Sequence, residues 1–263
     1  MSLLNVSFIS ETLGMSTHMN VVLPERSAGQ AETNGIRRNG TVPVLYLFHG
    51  MADDHSTWQR YTSIERYASE KNIAVVMPAT YWGWYTDMYR GYEYFTFIAR
   101  ELPEICGAMF PMLSKERKDT WAAGYAMGGY GAVKMGLRAG NVFSRAASLS
   151  GALDIEDMVR TADAGDRQYW ENVFGPVEKI NGSCNDLLKA AEEMKASPFR
   201  PDIYIWCGTE DRLYQQNIRM RDHLRRLEYN LQYEESPGGH QWKYLDEKIK
   251  AVLDWLVLGK DVE

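Results

Sequence analysis

The chain is poor in cysteine: its 263 residues include only three, Cys106, Cys184 and Cys207. That is too few, too far apart, for a disulfide framework, and no C-x-x-C pair suggests a zinc site. Positive charge is also in deficit, with 29 Lys+Arg against 35 Asp+Glu and a formal net charge of −6. Phosphate binding needs a basic face, so this balance argues against a nucleic-acid partner. The one basic cluster, Arg219, Arg221, Arg225 and Arg226, reads as the solvated side of a helix. No apolar run reaches the length of a membrane span, and the opening MSLLNVSFIS lacks the basic and apolar regions of a secretory signal. Repeats and low-complexity tracts are missing as well. The expectation left by these absences is a reduced, soluble, cytoplasmic protein with no membrane association and no metal.

What is present is ordinary globular material, 45% hydrophobic and 24% charged. A chain of this length can bury a large core unaided, and it suits one α/β domain over 1–263. The segments LNVSFISETL and THMNVVLPE alternate apolar and polar residues like a half-buried antiparallel pair. RSAGQAETNGIRRNG then reads as an exposed loop. VPVLYLFHG, NIAVVMPAT, TWAAGY, SRAASLSG and DIYIWCG are continuous apolar runs, as strands covered on both faces would be, and YNLQYEES reads as the last strand. Between them lie helical patterns: STWQRYTSIERYASEK with a serine at its start, a segment from about Tyr92 to Phe110, and one from Met127 to about Ala139. WKYLDEKIKAVLDWLVL closes the chain as an amphipathic helix. Such alternation predicts a mostly parallel sheet with helices on both faces. Residues 153 to 200 are less regular, with helical pieces such as CNDLLKAAEEMKA, and are expected to form a lid-like insertion over the sheet's carboxyl edge.

The stretch AAGYAMGGYG carries the chemistry. Gly124 and Gly128 have the spacing of a nucleophile elbow, G-x-S-x-G, where a strand turns so sharply into a helix that only small flanking residues fit. The centre of that pattern should be serine, and here it is Ala126. Glycines punctuate many strand–helix turns, so the elbow needs its partners in the right order. They follow: Asp211 after the strand DIYIW, then His240 on the glycine-rich loop SPGGHQW. Elbow, acid, histidine is the chain order of α/β-hydrolases. His240 would be general base and then general acid, with Asp211 holding its tautomer; Glu210 is the weaker alternative acid. The loop His49-Gly50-Met51 after the first buried strand would supply one oxyanion-hole N–H, from Met51, and Met127 the other. His18, His55 and His223 read as structural or solvated, and His49 as a shaper of the oxyanion loop lining the substrate site.

With these residues the chain resembles the esterase D / tributyrin esterase family of α/β-hydrolases, which is related to S-formylglutathione hydrolases and to acetyl and feruloyl carbohydrate esterases. The resemblance runs through LYLFHGMADDHSTWQR, IAVVMPATYWGWYTD, ELPEICGAMFP, AGYAMGGYGAVKMGL, ASLSGALD, YIWCGTEDRLY and PGGHQWKYLD, nearly the whole chain. It implies an α/β-hydrolase fold, a serine esterase acting on short-chain acyl esters, acetyl first, and no cofactor. Family members carry serine where this chain has Ala126. A natural pseudoenzyme would have little reason to keep Asp211, His240 and the elbow glycines together, so the pattern favours an engineered Ser→Ala change in a serine esterase. Feruloyl esters and S-formylglutathione-type thioesters are the alternative substrates, and a non-catalytic ligand-binding protein is the alternative of another class. The aromatic run TYWGWYTDMYRGYEYFTF makes Trp82 and Trp84 candidate pocket residues, with Trp58 and Trp242 beside the oxyanion loop and the histidine. The expected partner is a small-molecule or oligosaccharide ester, and the chain could form a homo-oligomer.

Overall fold

The computed structural model describes residues 1–25 and 40–258; of the loop expected over 26–40, all but Gly40 lies outside them. One eight-stranded sheet organises the described residues, in the order β1-β2-β4-β3-β5-β6-β7-β8. β1 (Ser2–Ser10) and β2 (Met15–Leu23) form the expected antiparallel hairpin, and β2 joins β4 (Ala74–Pro78) antiparallel. β3 (Val44–Phe48), β5 (Thr120–Tyr125), β6 (Arg145–Leu149), β7 (Asp202–Gly208) and β8 (Leu231–Ser236) complete it in parallel. Successive side chains of a strand point to opposite faces, and β3 shows the consequence. Val44, Tyr46 and Phe48 enter one core while Leu45 and Leu47 enter the other. That is why these strands read as unbroken apolar runs.

The helices covering the faces follow the chain. α1 (Thr57–Tyr61) and α2 (Ile64–Lys71) replace the one helix expected from STWQRYTSIERYASEK. The break falls at Thr62, whose backbone is extended and whose hydroxyl bonds back to the Trp58 carbonyl at 2.5 Å. Ser63 N–H turns instead to the Asp246 carboxylate at 2.8 Å. Ser56 starts α1 without a side-chain cap; its hydroxyl is taken by Asp54. The segment after Tyr92 is a helix with a wide turn inside it: α3 (Tyr94–Thr96), a π-helical turn over Phe97–Glu101, then α4 (Leu102–Met109). The carboxylate of Glu101, at the end of that turn, accepts the Ser10 hydroxyl at 2.6 Å and the Glu11 N–H at 2.7 Å, closing the β1–β2 hairpin.

α5 (Met127–Arg138) runs from the end of β5 and is buried along nearly its whole length. The stretch after β6 is more regular than its sequence suggests, holding α6 (Ile155–Arg160), α7 (Arg167–Phe174) and α8 (Leu187–Met194). Asp186 caps α8 through the N–H groups of Leu188 and Lys189 at 2.9 and 3.1 Å. α9 (Tyr214–Arg226) carries the basic cluster, and its charges are used: Arg219 pairs with Asp154 and Asp157, and Arg221 with Asp222. α10 (Trp242–Leu258) packs Leu245, Ile249, Val252, Leu253 and Leu256 onto the face opposite α5. The architecture is that of an α/β-hydrolase, with the carboxyl ends of the parallel strands forming the edge where ligands bind in such sheets.

Candidate active site

β5 ends in the elbow, and its geometry explains its glycines. Ala126 has φ +51° and ψ −116°, a strained backbone for any residue with a side chain. A Cβ on Gly128 would lie 2.3 Å from the Phe48 carbonyl oxygen, and one on Gly124 would meet the Gly128 backbone at 2.5 Å. Strand, turn and helix therefore pack backbone to backbone, and a larger residue at either position forces them apart. Met127 is the first residue of α5, so its N–H has no acceptor within the helix. It lines a cavity of about 480 Å³ together with Ala126 and Met51.

The partners arrive from the neighbouring strands. Asp211 follows β7, and its fully buried carboxylate accepts from His240 Nδ1 at 2.8 Å and from the Leu213 N–H at 2.9 Å. Burial pushes this carboxyl up, but the hydrogen bonds from His240 and Leu213 outweigh it and hold it below its ordinary value. His240 keeps part of its ring exposed, and lies on the same side as Tyr125, 6.1 Å between ring centroids. Glu210 is exposed, and its N–H donates to the Gly238 carbonyl. The acid beside the imidazole is Asp211.

His49 is not a pocket residue. Its Nε2 accepts the Thr80 N–H at 3.0 Å, so Nδ1 holds the proton and donates to the Gly50 carbonyl at 2.7 Å. Burial drives its pKa down to about 4, and the neutral ring ties the end of β3 to the loop after β4. Trp58 is corrected in the same way. It is buried, its indole N–H bonds the Phe48 carbonyl at 2.8 Å at the end of β3, and it is not among the residues lining the cavity. Trp242 stacks on Tyr61 and meets Trp58 and Tyr125 edge-on, away from the cavity lining. Trp84 does line the cavity, with Trp170 of α7 packed against it at 5.3 Å. Trp82, also expected in the pocket, is outside the cavity lining: it is 48% exposed and touches Tyr169 edge-on. His18 and His55 stack on each other, and His223 bonds the Leu188 carbonyl.

Several site residues escaped the sequence reading. Tyr125 donates its hydroxyl to the Asp53 carboxylate and lies over Gly50, where a Cβ would come 2.5 Å from its ring. Tyrosine beside the nucleophile position and aspartate in MADDHS are the signals that could have paired them. Lys134, on α5, is buried and donates to Thr86 and Asn185, each at 2.6 Å, which ties the elbow helix to the Trp84 loop and to the start of α8. Burial lowers its pKa to about 7. The far wall of the cavity comes from α6, α7 and their connection, including Asp157, Met158, Asp163 and Asp166, and from Arg212 and Gln216 beside the acid.

The Asp211–His240 pair and the strained turn at Ala126 both lie at the carboxyl edge of the parallel strands, in a sheet of the α/β-hydrolase type. The chain belongs to the esterase family: the family model described as "Putative esterase" matches residues 10–256. It is 29% identical to an acetyl esterase of Caldicellulosiruptor saccharolyticus, over 97% of this chain and 98% of that protein. Among solved structures, FphF, a fluorophosphonate-binding serine hydrolase of Staphylococcus aureus, superposes with a TM-score of 0.86 at 32% identity, covering 97% of this chain and 98% of that one. An S-formylglutathione hydrolase, FrmB, of the same organism gives 0.84 at 33% identity, over 97% and 98%. Both carry the same fold, and the chain is by family a carboxylic-ester hydrolase.

Proposed function

We propose that this chain is a serine esterase for short-chain acyl esters, acetyl above all, whose nucleophile position is occupied by Ala126. The observation that carries the reading is the 2.8 Å His240–Asp211 bond, kept beside an elbow backbone that a methyl group gives no reason to strain. With serine at 126, Oγ attacks the ester carbonyl as His240 takes its proton. The N–H groups of Met51 and Met127 receive the oxyanion, and His240 returns the proton to the leaving alcohol. Water then repeats the cycle on the acyl-enzyme. The full-length similarity to an acetyl esterase supports the acyl group. Trp84 and Trp170 wall the cavity tightly on one side, which suits a small acyl chain there. Residues 153–200 act in this reading as a lid within a single domain, with Asp163, Asp166 and Arg212 facing the alcohol part. Free Cys106, Cys184 and Cys207 suit a reducing cytoplasm.

A thioesterase is the second reading, favoured by the full-length similarity to FrmB. Intact-mass analysis after a fluorophosphonate probe tests the common core. The Ala126→Ser variant is expected to gain one probe at residue 126 while the Ala126 chain gains none; equal labelling of both would remove the serine-esterase reading. Parallel acetyl-ester and acyl-thioester assays of Ala126→Ser then rank the two substrates.

A further inference from the structure

Tyr125, the residue before Ala126, touches each element that meets at the elbow. Its ring lies against Gly50, edge-on to Trp58 at 5.6 Å and to Trp242 at 4.5 Å, and 6.1 Å from the His240 ring. Its hydroxyl donates to the Asp53 carboxylate. Asp53 in turn closes the tight turn after β3, its N–H donating to the Gly50 carbonyl at 3.3 Å. That turn is strained: Ala52, its third residue, has φ +67°, a conformation natural for glycine and unfavourable for alanine. The Gly50 carbonyl also accepts from His49 Nδ1, at 2.7 Å. A trans peptide is planar, so its N–H points opposite to its carbonyl. With the Gly50 carbonyl held from the side of His49 and the Asp53 N–H, the Met51 N–H faces away from both. Met51 itself lines the cavity with Ala126 and Met127.

We propose that Tyr125 and Asp53 are a positioning pair for the oxyanion hole: their hydrogen bond pins the turn that presents the Met51 N–H to the strand end that presents residue 126 and the Met127 N–H. This rests on reading Met51 and Met127 as the oxyanion donors. Such a hole works only if its donors are fixed before charge develops on the substrate. The elbow's backbone contacts fix the Met127 donor, whereas the Met51 donor sits on a turn that Ala52 strains toward relaxation. The pair joins the two because Tyr125 belongs to the elbow and Asp53 to the turn. Asp53 is half-buried, so water can solvate its carboxylate once the tyrosine hydroxyl is removed, and no buried charge is orphaned. The pair therefore acts on donor geometry more than on stability.

The test uses Tyr125→Phe, which keeps the ring and its packing, Asp53→Ala, their double variant, and Asp53→Asn, whose carboxamide oxygen still accepts. In the chain as it stands, the Met51 amide cross-peak of a proton–nitrogen NMR spectrum should move in Tyr125→Phe and in Asp53→Ala. It should move no further in the double variant and stay near its parent position in Asp53→Asn. In the Ala126→Ser background, kcat for p-nitrophenyl acetate should fall between about 10- and 100-fold in either single variant, and no further in the double. KM should stay within about twofold, and Asp53→Asn should keep most of the rate. A brace that served stability alone would lower the melting temperature and leave kcat intact well below it. That result, losses that multiply in the double variant, or a Met51 cross-peak unmoved in Tyr125→Phe and Asp53→Ala would each overturn the proposal. If Ala126→Ser proved inactive, the esterase reading would fail while the Met51 cross-peak still judged the pair.

Discussion

Between Tyr125 and Gly129 five consecutive residues make the elbow, whereas the cavity above it is walled by side chains drawn from Met51 to Gln216. The elbow is held by backbone contacts: the Gly128 position sits against the carbonyls of Phe48 and His49. The wall is held by aromatic packing and by one buried lysine, with Trp84, Trp170 and Phe174 in mutual contact and Lys134 clamping Thr86 and Asn185. Backbone contact imposes residue types over a few positions and so leaves a motif. Side-chain packing among distant segments can be met by many residue combinations and leaves none. The elbow is thus a rigid turn that admits few residue types, and the wall admits many.

The sharpest break of this contrast is at the catalytic end. In the Ala126→Ser background, His240→Ala should lower kcat by about 10⁶, because the proposed triad acts as a unit, with a loss of stability from removing a donor to the buried Asp211 carboxylate. Steady-state kinetics beside a melting curve checks both halves. The wall should respond the other way. Trp84→Ala removes a buried indole that four neighbours pack against or bond, and should cost about 3–5 kcal/mol of stability. Chemical denaturation measures it. His49 gives an intermediate effect that depends on pH. Its folded pKa of about 4 lies below the ordinary imidazole value, so the unfolded chain binds the extra proton first as pH falls. Its contribution is complete above about pH 6.5 and is lost down to about pH 4, roughly 3 kcal/mol in all. Denaturation midpoints between those limits should fall less steeply in His49→Asn. The smallest effect belongs to the exposed Trp82, outside the cavity lining: Trp82→Ala should change stability by less than about 0.5 kcal/mol and leave KM unchanged, as denaturation and steady-state kinetics would show.

Much of this was legible beforehand, for reasons that differ by element. Unbroken apolar runs gave the central strands because both faces of β3 to β7 are covered. The elbow turn and the Asp211–His240 pairing could be anticipated because order, spacing and glycines survive in one dimension. What was missed depended on the third. The split between α1 and α2 depends on Asp246, over 180 residues away, accepting the Ser63 N–H. His49 opens the loop after β3 and Trp58 follows it, yet both turn inward to bond backbone, and nothing local says which way a side chain faces. Trp84 and Trp82, two residues apart, divide between cavity wall and exposed surface because Trp84 meets Tyr130 and Phe174 from elements that no pattern links to it.

On the reading proposed above, Ala126 stands in an otherwise complete esterase site. Hydrolysis of p-nitrophenyl acetate by this chain and by Ala126→Ser, side by side from pH 5 to 9, tests it most directly. A rise in kcat on the order of 10⁶ on restoring serine, growing as an imidazole loses its proton, is the expected result. Equal, background rates for both proteins at every pH, with thioesters as well, would contradict it.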